Sequence, residues 1–383
     1  MQHECDHYFF RGRVAEHAIL RALGIGQGDE VAIQAFTCVA VPAPILMTGA
    51  RPIYVDIDPG TYNLDPQRLA GAITAKTRAV IVQHTFGIPA DMDAVLEIAR
   101  RNGLAVIEDC CHTLASRYKG GLVGSFGVAA FTSHRWGKPL VLGAGGRAVV
   151  RGEEVCARFR EICASSQPTP SIKVLRTLIE YFAHENLLRP SLFWVIRDFF
   201  RKLSRRGLVT PTFDEKEMQG LMSDAGRRIP ELHRRWLARD LANLHKNTEF
   251  RKSVARQYSS VLNALGAQTY DVDGRFEPVF LRYPFLVANK DKVLEQARER
   301  RIELGDWFVS AVHPLFVPEE LRRLGYEAGS CPNAEAVSRG ILTLPINRKI
   351  GPRYVERTIE FLRHLADKGL LAAPSFMRAH HYA

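Results

Sequence analysis

The chain has 383 residues, of which 46% are hydrophobic and 24% charged. That composition excludes a disordered, collagen-like or disulfide-stapled chain, and the length fits roughly two domains of about 150 residues. A formal net charge of +11 suits an anionic partner such as a phosphorylated ligand, an acidic membrane surface or nucleic acid.

The charge is uneven. Residues Arg151–Ser260 carry 21 Lys and Arg against 13 Asp and Glu. Met1–Val14 has no apolar leader segment and no apolar run reaches about 18 residues, so neither a signal peptide nor a spanning helix is expected. The seven cysteines (Cys5, Cys38, Cys110, Cys111, Cys156, Cys163, Cys331) contain no CxxC pair. This reads as reduced, cytoplasmic usage without a metal site.

In chain order, the first half alternates helix and strand signals. Helices are expected over Val14–Leu23, Cys38–Thr48, Pro66–Ala72 and Asp91–Arg101, and strands over Glu30–Ile33, Pro52–Val55, Ala79–Gln83 and Leu104–Ile107. This alternation predicts a parallel α/β sheet with ligands at the carboxyl ends of its strands. Asp109 stands at such an end, as a ligand group or as the cap of the next segment.

From Pro168 to Gly220 the character changes. Ser191–Leu203 places Leu192, Val195, Ile196, Phe199, Phe200 and Leu203 on one helical face, flanked by Arg197, Arg201 and Lys202. A core or subunit-interface helix is the preferred reading, and a membrane-surface helix over about 190–206 the alternative. A long helix is expected over Ile229–Leu262. Strands over Phe276–Val287 and Ile341–Leu344 and helices over Lys290–Arg300, Ala334–Ser338 and Pro352–Leu365 follow, reading as a smaller α/β domain.

The chemistry concentrates between Asp109 and Gly146. A Walker A loop is excluded, because the Gly-x-x-x-x-Gly-Lys-Ser/Thr order is absent. The residue types suit pyridoxal phosphate instead. That cofactor needs a lysine for a Schiff base, a carboxylate beside its pyridine nitrogen, and hydroxyl and N–H donors for its phosphate. Lys138, Asp109 and Ser133 meet these needs. Gly12, Arg13 and Val14, opening the first helix, add N–H groups and a positive charge.

Over these segments the chain resembles the DegT/DnrJ/StrS family of pyridoxal-phosphate sugar aminotransferases. The matching stretches are Ala22-Leu-Gly-Ile-Gly-Gln-Gly-Asp-Glu-Val31, Gly49-Ala-Arg-Pro-Ile-Tyr-Val-Asp-Ile-Asp58, Gly87-Ile-Pro-Ala-Asp-Met-Asp93, Val106-Ile-Glu-Asp109, Tyr118–Gly127 and Ser133–Gly146. A weaker match returns around Arg228–Leu232 and Cys331-Pro-Asn-Ala-Glu335.

The resemblance implies fold type I, the aspartate aminotransferase architecture. A large parallel-sheet domain over 1–228, with an insertion at about 168–220, would precede a small domain over 229–383. It implies that Lys138 binds the cofactor and moves the substrate proton, that Asp109 pairs with the pyridinium nitrogen and that Ser133 binds the phosphate. His112 would lie on the cofactor's hydroxyl side or serve as a structural histidine.

Some positions depart from the family pattern. Arg13 replaces a threonine at the phosphate, and Cys38 replaces an aromatic that stacks on the cofactor ring, or is a buried core residue. Gly226 replaces an asparagine that reaches the neighbouring subunit, a contact then missing or supplied by Arg227 or Arg228. His134 stands where an apolar residue is usual. His313 falls on a loop that lies near the substrate in some members.

The resemblance implies an aminotransferase using L-glutamate or a similar donor and a nucleotide-linked keto sugar as acceptor, in a homodimer with sites at the subunit interface. Two alternatives follow from the departures and the insertion. One is a lipid-linked or amphiphilic ketone met at a membrane; the other is a cofactor-binding regulatory protein without turnover. Nothing beyond the net positive charge supports nucleic-acid binding.

Overall fold

The computed structural model describes residues 3–187, 192–205, 219, 221–222, 224–267, 269–270 and 274–372. Its first half runs β1 (Glu4–Phe9), α1 (Gly12–Ala22), β2 (Glu30–Gln34), β3 (Thr37–Cys38), α2 (Pro42–Met47), β4 (Arg51–Val55), α3 (Pro66–Ala72), β5 (Thr77–Gln83), α4 (Met92–Asn102), β6 (Ala105–Asp109), β7 (Arg117–Tyr118), β8 (Gly121–Leu122), β9 (Ala129–Ser133) and β10 (Gly146–Arg151). Then come α5 (Glu153–Ala164), β11 (Gln167–Pro168), α6 (Ser171–Leu187), α7 (Phe193–Arg205), β12 (Arg227–Arg228), α8 (Glu231–Ala242) and α9 (Leu244–Ala264). The last part holds β13 (Phe276–Glu277), β14 (Tyr283–Leu286), α10 (Lys290–Glu299), β15 (Val312–His313), α11 (Pro318–Arg323), α12 (Pro332–Gly340), β16 (Ile341–Leu344) and α13 (Pro352–Asp367).

Nine strands form one sheet in the order β11-β12-β1-β10-β9-β6-β5-β2-β4. From β4 through β9 every pair is parallel, and β10 and β1 then join antiparallel. Helices cover both faces, as a parallel sheet requires. Ala15, Ile19 and Ala22 of α1 pack with Phe159 of α5 against Ile33, Ile81 and Ile107. On the other face Leu69 of α3 and Met92, Val95 and Ala99 of α4 meet Val80, Val82 and Val106. Each of the larger side chains among them (Ile, Leu, Val, Met, Phe) contributes about 1.5–3 kcal/mol on burial. Asp91 caps α4 by accepting from the Ala94 N–H, and Gly103 closes it at a φ of 63°.

The β14–β16 pair and α9 through α13 bury one large cluster, which takes in Phe36, Tyr62 and Phe86 from the first half. The C-terminal elements therefore share packing with the loops at the strand ends.

Three elements differ from expectation. The apolar run at 38–48 is no single helix: Pro42 and Pro44 fit a first helical turn, so α2 begins at Pro42, while Cys38 is recruited to a strand beside Val312 and His313. The expected helix over 229–262 breaks at Asn243 into α8 and α9. The apolar face at α7, read as core or subunit interface, is not core: Leu192, Val195 and Phe199 are turned outward, and Trp194 is the buried anchor, its indole N–H donating to the Ile302 carbonyl at 2.8 Å. The side chains of Phe200, Arg201 and Leu203, and residues 206–218 of the expected insertion, lie outside the described residues.

Strand β6 ends in Glu108–Asp109, and Glu108 fixes that end. Its fully buried carboxylate accepts from the backbone N–H groups of Gly124 (2.6 Å), Phe126 (2.7 Å) and Gly127 (2.7 Å) and pairs with His84 Nε2 at 3.2 Å. Burial pushes its pKa up, but His84 and these backbone donors bring it below the ordinary value. Glu108→Ala would strand three N–H groups, that of Gly127 buried and those of Gly124 and Phe126 part-buried, together with His84, and is expected to destabilise the protein by about 3 kcal/mol or more. Urea denaturation at pH 7 measures this; a loss under 1 kcal/mol contradicts it.

Candidate active site

Asp109 ends β6 and Ser133 ends β9, and the two strands are parallel neighbours, with Asp109 opposite Phe131. Both residues therefore stand at the carboxyl edge of the sheet, where open α/β sheets bind ligands. One oxygen of Asp109 accepts the Cys111 N–H at 2.8 Å, so the carboxylate also caps its own turn. Lys138 follows Ser133 on a short loop, its N–H donating to the Arg135 carbonyl at 3.3 Å.

Lys138 and Asp109 share one space. Both act electrostatically on the thiols of Cys38 and Cys111. Burial pushes the Cys38 thiol pKa up, Lys138 and Arg13 pull it down and Asp109 raises it. Glu16 on α1 enters the same group. Burial, then Asp109 and Cys38, raises its pKa well above normal, and one of its oxygens has no hydrogen-bond partner among the described residues. A protonated Glu16 avoids a second anion behind Asp109.

His112 is buried and nearly parallel to Phe86 (centroids 6.2 Å apart, 12° between planes) and Trp307 (6.1 Å, 26°). Its Nδ1 accepts the Phe86 N–H at 3.2 Å, which fixes the proton on Nε2. Burial and, secondarily, Lys138 push its pKa well below normal, so it is a neutral imidazole.

An anion cradle lies beside Ser133. A Cβ on Gly12 would stand 2.9 Å from the Ser133 Cβ and 3.1 Å from the Thr132 carbonyl, so glycine alone permits the start of α1 to approach this closely. The buried Arg135 has its pKa lowered by burial and by Arg11 and Arg13, against the opposing pull of Glu180 and Asp224. Asp224 is shared by Arg11 Nε (2.7 Å) and Lys173 Nζ (2.5 Å), and Glu180 by Arg176 (3.1 Å). Cations thus outnumber anions around a helix N-terminus and a serine hydroxyl, the donor set a phosphate group takes. Val14 stands apart from it, with its side chain in the core and its N–H donating to the Arg11 carbonyl at 3.1 Å.

The remaining singled-out residues are structural in their contacts. His134 is buried, with its Nε2 3.3 Å from Thr132 Oγ1. His313 pairs in register with Cys38, and Arg227 donates to the Pro168 carbonyl at 3.0 Å. His84, Glu108 and Cys110 bring three metal-ligand types within 4.8 Å. However, His84 Nδ1 accepts the Ala90 N–H at 3.1 Å, so its Nε2 carries the proton toward Glu108 and offers no lone pair. Sequence reasoning missed Glu16, Arg135 and Trp307. No sequence signal marks Glu16, inside α1, or Arg135, just past β9; their burial in the structure singles them out.

The sequence matches the DegT/DnrJ/EryC1/StrS aminotransferase family over residues 11–179 and 195–363. The chain belongs to this family. It is a pyridoxal-phosphate-dependent aminotransferase of fold type I. The matched stretches leave 180–194 between them, inside the segment expected as an insertion. The chain is 31% identical over 366 residues to the pleiotropic regulatory protein of Geobacillus stearothermophilus, covering 93% of this chain and 84% of that one. It is 36% identical over 216 residues to the UDP-2-acetamido-2-deoxy-3-oxo-D-glucuronate aminotransferase of Pseudomonas aeruginosa, covering 52% of this chain and 59% of that relative. The crystal structure of DesV from S. venezuelae superposes with a TM-score of 0.71 at 27% identity, over 94% of this chain and 85% of that one.

The buried histidines make stability depend on pH. Burial lowers the pKa of His134 to about 4, and likewise those of His17, His233 and His313. The unfolded chain protonates these groups near pH 6.5 while the fold resists, so stability falls as pH drops from about 6.5 toward 4. One fully buried group of this kind costs about 2 kcal/mol at pH 5. His134→Phe is expected to reduce the pH 7-to-5 loss of urea stability by about that amount; an unchanged loss contradicts it.

Proposed function

We propose that the protein transfers an amino group from L-glutamate, or a similar donor, to a ketone carried on a nucleotide-linked sugar. The observation that carries this reading is the shared space of Lys138 and Asp109 next to a cation-rich cradle. The residues fit pyridoxal phosphate: a lysine amine, a carboxylate for the ring nitrogen and a site for a dianion. Bound there, the cofactor supplies an electron sink that stabilises a carbanion and carries the amino group between substrates.

Lys138 Nζ is the covalent anchor and the base that moves the proton at the substrate carbon. Asp109 accepts from the ring nitrogen and keeps it protonated. Ser133, Gly12, Arg13 and Arg135 hold the phosphate, and neutral His112 presents Nε2–H as a donor on the hydroxyl side. Cys38 packs as a neutral thiol. A homodimer, with a second copy completing the site, accompanies this assignment.

The relative from Pseudomonas aeruginosa is named for a UDP-linked 3-oxo sugar acid, which supports a nucleotide keto sugar as acceptor. The cation excess suits a diphosphate as well as the cofactor. The protein with pyridoxal phosphate is expected to show the near-visible band of the lysine-bound cofactor, and Lys138→Ala to lack it. Adding L-glutamate should convert that band to the pyridoxamine phosphate spectrum, and Asp109→Asn should slow the conversion about a hundredfold or more. A band that ignores every amino donor contradicts the transferase assignment of this site.

A second observation bears on where the enzyme works. α6 is anchored on one side, with Tyr181 stacked on Trp236, His184 on Trp136 and the Lys349 ammonium donating to the His184 carbonyl at 2.7 Å. Its opposite side shows Ile172, Leu175, Ile179 and Phe182, which are 73, 54, 61 and 70% exposed. Their spacing of three and four residues makes one stripe. Val195 and Phe199 of α7 make a second, with Leu192 just before it.

Residues 171–205 carry seven basic and three acidic side chains. An exposed apolar stripe with excess positive charge is the pattern of a helix lying on an anionic membrane surface, and among the described residues no helix is long and apolar enough to cross one. The reading is peripheral contact with anionic lipid, which would suit an amphiphilic acceptor. The full chain is expected to sediment with vesicles containing 30% phosphatidylglycerol and not with pure phosphatidylcholine, and Ile179→Glu with Phe182→Glu to abolish this. If that variant instead lowers the native mass by half, the stripe is a subunit interface and the membrane reading fails.

A further inference from the structure

Trp307 was not among the residues the sequence marked, yet its indole meets two groups of the candidate site. Lys138 Nζ lies over its face, 5.5 Å from the ring centroid, and its plane is within 26° of His112. Gly137 makes room for it. That residue has a φ of +73°, and a Cβ there would be 2.9 Å from the indole Cζ2 and Cη2.

The backbone beside Trp307 is held in an unusual conformation. Phe308 has a φ of 60°, and so nearly do Phe36 (62°), Tyr62 (62°) and Phe86 (55°). Bulky residues reach that region only when the surrounding packing holds them there. These four rings form one cluster. Phe308 packs 4.4 Å from Phe36 and 5.6 Å from Phe86, and Tyr62 lies 5.9 Å from both Phe36 and Phe86, centroid to centroid. Phe308 is thereby locked into the core while its neighbour Trp307 is left half-buried toward Lys138.

The geometry points to Trp307 as the platform on which the ring of the acceptor lies, an inference that rests on the keto-sugar reading above. For Lys138 to move a proton at the reacting carbon, that carbon must come within about 3 Å of Nζ. A six-membered ring that contains that carbon then falls within contact distance of an indole face whose centre is 5.5 Å from Nζ. The C–H face of a pyranose packs on an aromatic plane, whereas glutamate is an open chain recognised by its charges. Trp307 is thus a specificity-determining residue for one half of the reaction and not for the other.

The test separates the two halves. The pyridoxamine phosphate form of the full-length protein is mixed with 2-oxoglutarate, a UDP-linked 3-keto hexose or a dTDP-linked 4-keto hexose, and the return of the near-visible band is followed. Trp307→Ala is expected to raise the apparent KM for the ring ketone that the wild type accepts at least tenfold and to leave 2-oxoglutarate within about threefold, with Trp307→Phe recovering most of the loss. Equal slowing with both classes of ketone, or no effect on either, overturns the platform while leaving the aminotransferase reading intact. A wild type that reacts with 2-oxoglutarate but with neither ring ketone overturns the keto-sugar reading and the platform with it.

Discussion

The carboxylate of Glu108 gathers three backbone N–H groups and His84 into one buried knot at the end of β6. Everything at the site hangs from that knot. It ties the loop over Gly124–Gly127, which leads into β9, to the strand that ends in Asp109. Through His84 it also ties down the turn after β5, where Phe86 meets His112. An ionised group with four donors is expensive to bury and more expensive to leave half-satisfied, so the arrangement is close to all-or-none. The next residue, Asp109, inherits a fixed backbone.

Charge then sorts the pocket into two ends. At one stand Lys138, Asp109 and Glu16, whose pKa burial and Asp109 push well above normal. At the other, Arg11, Arg13, Arg135 and Lys173 outnumber Asp224 and Glu180. Pyridoxal phosphate has the same polarity, a cationic ring nitrogen and a dianionic tail. Arg13 therefore adds a guanidinium to the anion end. Arg135, unmarked by the sequence, adds to it from just beyond the end of β9.

Much of this was legible along the chain because it is local. Asp109 stands just beyond a strand that the apolar periodicity locates, whereas Ser133 and Lys138 were marked by residue type and family resemblance, and the strand β9 that carries Ser133 was not expected. What was illegible is contact between distant segments. Trp307 reaches Lys138 through the Gly137 turn. Cys38 left its expected helix because Val312 and His313 offered a strand partner, and Trp194 replaced the apolar stripe of α7 as anchor because Ile302 offered a carbonyl. Periodicity reports which residues share a face; it does not report which face finds a partner. On α6 and α7 the faces that pack are the polar-aromatic ones, the reverse of the usual rule.

The proposed chemistry requires Lys138 to be the residue that binds the cofactor. The most direct measurement is to load the protein with pyridoxal phosphate, reduce it with borohydride, digest it and locate the pyridoxyl group by peptide mass. The structure predicts a single modified lysine, Lys138, with modification lost in Lys138→Ala and weakened in Arg13→Ala with Arg135→Ala. A pyridoxyl group at another lysine, or none at all, would contradict it.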